Sequence, residues 1–260
     1  IFAAVKGISL GDYIRRRRLS LSHTLLLEGK KIIDIALELG FETASGFSKA
    51  FRKEFGYCPT GYLARMGGRS GKKLTNEIGE LFMLMQPVFK KLSSFKVAGY
   101  GIQTNVTDGF MKDIAAYWEN YSGANLESKM YRLLAPPKHG EVGLCIPSSV
   151  NGGITYLFGV IVDDFSKVTT DMITAEVPCA EYAVFTTPPV DLSAAPAEGE
   201  EDPLAQKVKS TWRYIFEEWL PDSGYEYDEN KLDFEFYDER CHNCPSSVME
   251  IYIPIRPKKE

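Results

Sequence analysis

The sequence predicts a multidomain chain: an all-α helix-turn-helix unit followed by an α+β unit with duplicated strand–helix–strand–strand order. Three observations carry this. Lys31–Tyr62 reads as two amphipathic helices around a glycine corner. From Phe95 the hydrophobic period changes from helical to alternating. After Phe95 the same order of segments occurs twice. The 260 residues leave room for two ordinary domains, and a hydrophobic fraction of 44% suits packed cores.

Ser9 opens the first helix, which runs to about Glu28 with Asp12 near its positive dipole end. Tyr13, Ile14, Arg17, Leu21, Thr24 and Leu25 follow at helical spacing. Arg15 to Arg18 are four successive cations. Consecutive residues wrap around a helix, so they cannot all meet one polyanion. One or two are read as phosphate contacts, and the others pair with acids or pack by their stems. Ile32, Ile35, Ala36 and Leu39 form the stripe of a second helix, which Gly40 can end at positive φ. A third helix runs from about Thr43 to Phe55, with Phe47, Ala50, Phe51 and Phe55 facing inward. Gly56 ends it and Pro59 prevents continuation. Its other face carries Ser45, Ser48, Lys49, Arg52 and Lys53, side chains suited to a nucleic-acid groove.

The sequence divides at 1–66, 67–92 and 93–260. GGRSGKK within the middle segment reads as a flexible linker, and Glu80 to Leu92 as a short apolar helix. In the last segment FKVAGYGIQTNV is a strand, 110–121 a helix, and GEVGLCIPSS and GITYLFGVIV two strands. ITAEVPCAEYAVFTTP then reads as a strand, 204–220 as a helix, and LDFEFYDE and VMEIYIPI as two strands. Each half buries one sheet face under its helix, and the halves flank a shared groove.

The net charge of −5 conceals an asymmetry: residues 1–74 carry +8 and the remainder −13. A basic first third points to a polyanion partner for that part alone. No run of 18 apolar residues and no signal-peptide pattern is seen, so no membrane partner is expected. Five scattered cysteines suit a reducing cytoplasm.

GISLGDYIRRRRLSLSHTLL and KIIDIALELGFETASGFSKAFRKEFGYCPTGY closely resemble the DNA-binding domain of AraC/XylS-type transcription regulators. The match includes YIRRRRL, IIDIALELGF, FSKAFRKEFG and the terminal P-x-x-Y over about the first 62 residues. In that family two helix-turn-helix units are joined by a linker helix. Here the second is complete, and Phe2 to Gly7 reads as the tail of the first unit's recognition helix. By position the resemblance implies that Thr43, Ala44, Ser45, Gly46, Ser48 and Lys49 face double-stranded DNA, with Arg52 on the same face. Ala44 and Gly46 have no side-chain hydrogen bonds to offer, which favours phosphate anchoring over base reading. Residues 93–256, with FEFYDE and EIYIPI near the end, resemble the GyrI-like effector-binding domain. That resemblance implies a sensor of small molecules, often lipophilic cations, and RNA polymerase as a further partner of the regulator.

Strand alternation puts Glu235 and Tyr237 opposite Phe234 and Phe236, and Glu250 and Tyr252 opposite Met249, Ile251 and Ile253. If the apolar sets face the helices, both Glu–Tyr pairs enter the groove, beside Trp118, Trp212 and Trp219. A carboxylate among aromatic rings suits an organic cation. The resemblance carries the ligand-contacting acid to Glu235. Alternative readings are ordinary packing for the tryptophans, and, for the domain, hydrolysis of small lipophilic electrophiles or protein interaction. Cys241-His242-Asn243-Cys244 has metal-like spacing but no second pair, and reads as a hairpin loop with thiols. His23 and His139 lack a nucleophile at meaningful spacing. No catalytic residue, metal site or cofactor is expected.

Overall fold

The structure is a computed structural model that describes residues 10–66, 86–105, 110–148, 153–193, 202–241 and 245–258. The expected helix start at Ser9, the remnant at 2–7, the GGRSGKK linker and Cys244 lie outside these residues.

Among the described residues the N-terminal unit has four helices: α1 (Leu10–Leu27), α2 (Ile32–Glu38), α3 (Ala44–Phe55) and α4 (Pro59–Met66). Gly40 at φ +79° turns α2 into α3, and Gly56 at φ +84° caps α3. Thr43 is the N-cap of α3; its Oγ1 accepts from the Gly46 amide at 3.0 Å. Phe47, Phe51 and Phe55 are buried, with Ala50 half-buried beside them. The inward stripe of α1 differs from the expected one. Leu19, Ser22, His23 and Leu26 are buried, while Ile14 and Leu21 are exposed. The basic run pulls its own side chains outward, and the core accepts the polar Ser22 and His23 because both have partners: Ser22 Oγ donates to the Leu19 carbonyl, and His23 meets Tyr57.

The second unit contains β1 (Val88–Leu92), β2 (Phe95–Asn105), α5 (Phe110–Gly123), α6 (Leu126–Leu134), β3 (Glu141–Pro147), β4 (Gly153–Val162), β5 (Ile173–Val177), β6 (Ala180–Thr186), α7 (Pro203–Tyr214), β7 (Tyr225–Tyr227), β8 (Phe234–Tyr237) and β9 (Glu250–Pro257). Three differences from expectation stand out. Val88–Leu92 is a strand paired to Tyr182–Val184 and its neighbours, not the end of a helical linker. The segment 173–186 is two strands; β5 pairs with β2 and β6 with β9, with Pro178 between them. Helix α6 was not anticipated, although Met130 and Leu134 bury an i, i+4 stripe. Helix α7 continues through a π-turn at Ile215–Trp219 to Leu220–Asp222. Pro221 removes an amide and crowds the carbonyl four residues back, and a widened turn relieves both.

The duplication is visible in the sheet. Its order is β1-β6-β9-β8-β3-β4-β2-β5, all antiparallel, with β7 added to β9. The halves meet where β8 pairs with β3, and each half places equivalent strands at equal distance from that line. The two ends of the order are close in space. Only three residue steps join Leu92 of β1 to Phe95 of β2, a span of at most about 10 Å. The sheet therefore curls. Val97, Leu144, Leu157, Tyr182, Phe234 and Tyr252 fill its inner face, whereas α5 and α6 cover the outer face of one half and α7 that of the other.

The helical unit sits on α7. One continuous core runs from Leu19, Phe47 and Phe51 through Tyr57 and Tyr62 to Trp212, Phe216, Ile251 and Ile253. Burial of this size is the main force joining the units. Polar contacts fix its register. Tyr57 Oη donates to the Phe216 carbonyl at 2.7 Å, Tyr62 Oη to Glu217 Oε1 at 2.6 Å, and the Tyr227 amide to the Gly56 carbonyl at 3.1 Å.

Candidate functional site

Glu235 lies on the line where the halves join, opposite Gly143 of β3. It is 5% exposed. Trp212 Nε1 donates to its Oε1 at 2.6 Å and Tyr237 Oη to its Oε2 at 2.7 Å. Both of these donors are neutral. Trp212 stacks on Phe216 at 5.6 Å, and Tyr237 meets Phe158 edge-on at 5.5 Å. Half-buried Trp118 packs on Phe158 at 4.9 Å. Glu235, Tyr237, Trp212 and Trp118 thus belong to one acid-plus-aromatic surface contributed by both halves.

Glu250, Tyr252 and Trp219 do not belong to it. In the β8–β9 register Glu235 faces Ile251, Phe236 faces Glu250 and Phe234 faces Tyr252. Cross-strand partners share a sheet face. The polar set of β8 therefore shares a face with the apolar set of β9, under α7, and Glu250 and Tyr252 take the inner face with Phe234. There Tyr252 Oη donates to Glu250 Oε2 at 2.6 Å, and Lys90 and Arg240 approach Glu250 at 3.6 and 3.3 Å. Burial, then Glu250, raise the Tyr252 hydroxyl above its ordinary range. Trp219 closes the π-turn and packs on Phe185 at 4.9 Å and Tyr225 at 6.4 Å, near the β1 edge.

On α3, Ser45, Gly46, Lys49 and Arg52 are exposed, and Ala44 and Ser48 half-buried. Thr43 is exposed, but its hydroxyl is spent on the cap. Arg52 is turned toward the second unit, where Nη1 meets Glu229 Oε2 at 2.9 Å. Of the arginine run on α1, Arg16 pairs with Glu54 at 2.6 Å.

Sequence reasoning passed over the seam between the units. Arg65 of α4 donates twice to Asp233, at 2.6 and 2.7 Å, and once to Tyr227 Oη at 3.0 Å. Burial works against its charge, but Asp233 outweighs that and keeps the guanidinium protonated. An acid directly before the alternating run of β8 was the available signal. His23 Nε2 lies 2.8 Å from Tyr57 Oη, and burial lowers its pKa to about 4. Cys241 is buried, donates to the Val248 carbonyl, and burial pushes its thiol up to about 11. Among the described residues no group of His, Cys, Asp and Glu is arranged to hold a metal, and no helix is long and apolar enough to cross a membrane.

The fold and these surfaces define a class: a helix-turn-helix unit fused to a duplicated, curled-sheet unit. The profile of the Cass2 family, described as integron-associated effector binding protein, matches residues 89–255, and the chain belongs to that family. A helix-turn-helix domain profile matches residues 1–65, so an AraC-type domain precedes a Cass2/GyrI-like effector-binding domain. The virulence regulon transcriptional activator VirF of Yersinia enterocolitica is 44% identical over 61 residues, 23% of this chain and 22% of VirF. The regulatory protein SoxS of Escherichia coli strain K12 is 40% identical over 67 residues, 25% of this chain and 63% of SoxS. The chain thus spans about a fifth of VirF and under two thirds of SoxS. SAV2435, solved bound to tetraphenylphosphonium, shares the fold: TM-score 0.53 and 16% identity over 66% of this chain and 94% of that one.

Proposed function

We infer that the chain is a cytoplasmic transcription regulator whose N-terminal unit binds double-stranded DNA and whose C-terminal unit senses a small lipophilic cation. The observation that carries the reading is the carboxylate of Glu235, held among aromatic rings by neutral donors and packed through Trp212 and Phe216 against the helical unit. A cation drawn to that charge gains ring contacts of about 0.5–2 kcal/mol each. The exposed cations of α3 and the likeness to VirF and SoxS support the DNA half. Because α7 touches both the carboxylate and the DNA-binding helices, a ligand that repacks Trp212 alters the seat of α3, which is the differential contact that coupling needs. RNA polymerase is the further partner such a regulator engages. The groove is read as a binding site rather than a catalytic one; ligand recovered intact after incubation supports this, and turnover refutes it.

The test is a titration of labelled duplex at several salt concentrations, with and without tetraphenylphosphonium. Salt-dependent binding whose midpoint shifts with the cation is expected. A midpoint indifferent to a cation that demonstrably binds the protein sinks the coupling; absence of any salt-dependent binding sinks the regulator.

A further inference from the structure

A cavity of about 240 Å³ lies at the seam between the two units. Its wall includes Gly61, Ala64 and Arg65 of α4, Pro147 and Ile154 at the β3–β4 end, Phe216 of α7, and the loop residues Glu229 and Lys231. It is separate in chemistry from the acid-plus-aromatic cluster of Glu235, since Glu235, Trp118 and Trp212 are not among its lining residues. Three rings, Tyr57, Phe216 and Tyr227, line it, and both hydroxyls are engaged elsewhere: Tyr57 with Phe216 and His23, Tyr227 with Arg65.

Its charges are specific. Arg65 is neutralised by Asp233. Glu229 pairs with Arg52 through Oε2 alone; its Oε1 is buried without a hydrogen-bond partner. Lys231, two residues on, is a half-buried cation for which no ion pair is seen among the described residues. The seam therefore holds one orphaned acceptor behind the cavity wall, one ammonium on that wall, and a net positive balance. Buried polar atoms call for partners, and a dry cavity of about 150 Å³ already accepts benzene. The geometry points to a second small-molecule site in this seam, for a single-ring carboxylate bearing a neutral hydroxyl or amino donor. The ring lies among Tyr57, Phe216 and Tyr227, the carboxylate meets Lys231, and the donor bonds Glu229 Oε1 once a turn of that partly exposed side chain brings the atom to the cavity. Such a ligand has the opposite charge to the cation expected at Glu235. The binding does not depend on the regulator reading.

The probe is 4-hydroxybenzoate, titrated calorimetrically into the full chain, with benzoate (no donor) and phenol (no carboxylate) as controls. One site is expected, with each control weaker by about tenfold or more, the worth of a hydrogen bond to a charged group. Lys231→Met, checked for folding by its thermal melt, is expected to bind 4-hydroxybenzoate no better than phenol. No binding of 4-hydroxybenzoate, or equal affinity for benzoate, overturns the proposal. Failure here leaves the Glu235 groove standing, since that is read with tetraphenylphosphonium and duplex alone.

Discussion

Arg65 and Asp233, 168 positions apart, form a two-bonded ion pair at the seam between the helical unit and the sheet, with side chains 8% and 2% exposed. Removing one partner strands the other's charge in a buried seam. Asp233→Ala is therefore expected to lower the stability of the whole chain by about 3–5 kcal/mol. The double variant Arg65→Met/Asp233→Leu removes both charges and is expected to recover most of it. Urea denaturation measures both; a single variant as stable as the parent refutes the burial argument.

His23 contributes a pH dependence of definite sign. Its folded-state pKa is about 4, against 6.5 for the free side chain, because burial disfavours the imidazolium. Below pH 6.5 the unfolded chain takes up a proton that the folded chain refuses. Stability is thus intact above 6.5 and falls as the pH drops toward 4, by about 3 kcal/mol over the window. His23→Gln is less stable at neutral pH but is expected to flatten this slope. Denaturation midpoints at pH 7, 6, 5 and 4.5 decide the matter, and parallel slopes for parent and variant refute it.

The two Glu–Tyr pairs separate by face. Glu235→Gln is expected to weaken tetraphenylphosphonium binding by about thirtyfold, near 2 kcal/mol, through loss of a buried compensating charge. Glu250→Gln, on the inner face with Lys90 and Arg240, is expected to change that affinity little. Equal losses for the two variants contradict the register.

Arg52 has two claims on it. Glu229 holds it in the free protein, and a DNA phosphate competes for it in a complex. Lys49→Ala is expected to lower the slope of log affinity against log salt by about one. Glu229→Gln releases Arg52 and is expected to raise duplex affinity by a few-fold, since a partly exposed pair is worth only about 0.2–1 kcal/mol. Unchanged or weaker binding by Glu229→Gln shows that Arg52 plays no part.

The local parts of this molecule were legible in the sequence. Periods of 3.6 and 2, the glycines at 40 and 56, and the twice-written segment order depend on neighbours within a few residues. The helix-turn-helix and the duplicated sheet follow from them. The same local logic failed for α1, because the inward stripe there is set by Tyr57, Phe51 and Phe55 closing over His23, contacts made about 30 residues away. It also missed β1, whose pairing partner begins at Ala180.

By itself, then, the sequence determined which segments are helices or strands, their order, and the acid and aromatic residues available to a site. Only the tertiary structure decided which of those residues meet. Alternation says that Glu235 and Tyr237 share a face, and Glu250 and Tyr252 another, but not that the faces coincide. That is settled by which residue of β9 stands opposite Glu235, and Ile251 stands there. A shift of one residue turns every side chain to the other face. The seam, with its Arg65–Asp233 pair and its cavity, exists only once α4 and β8 are packed together, because each of its charges is intelligible only beside a partner far away in the chain.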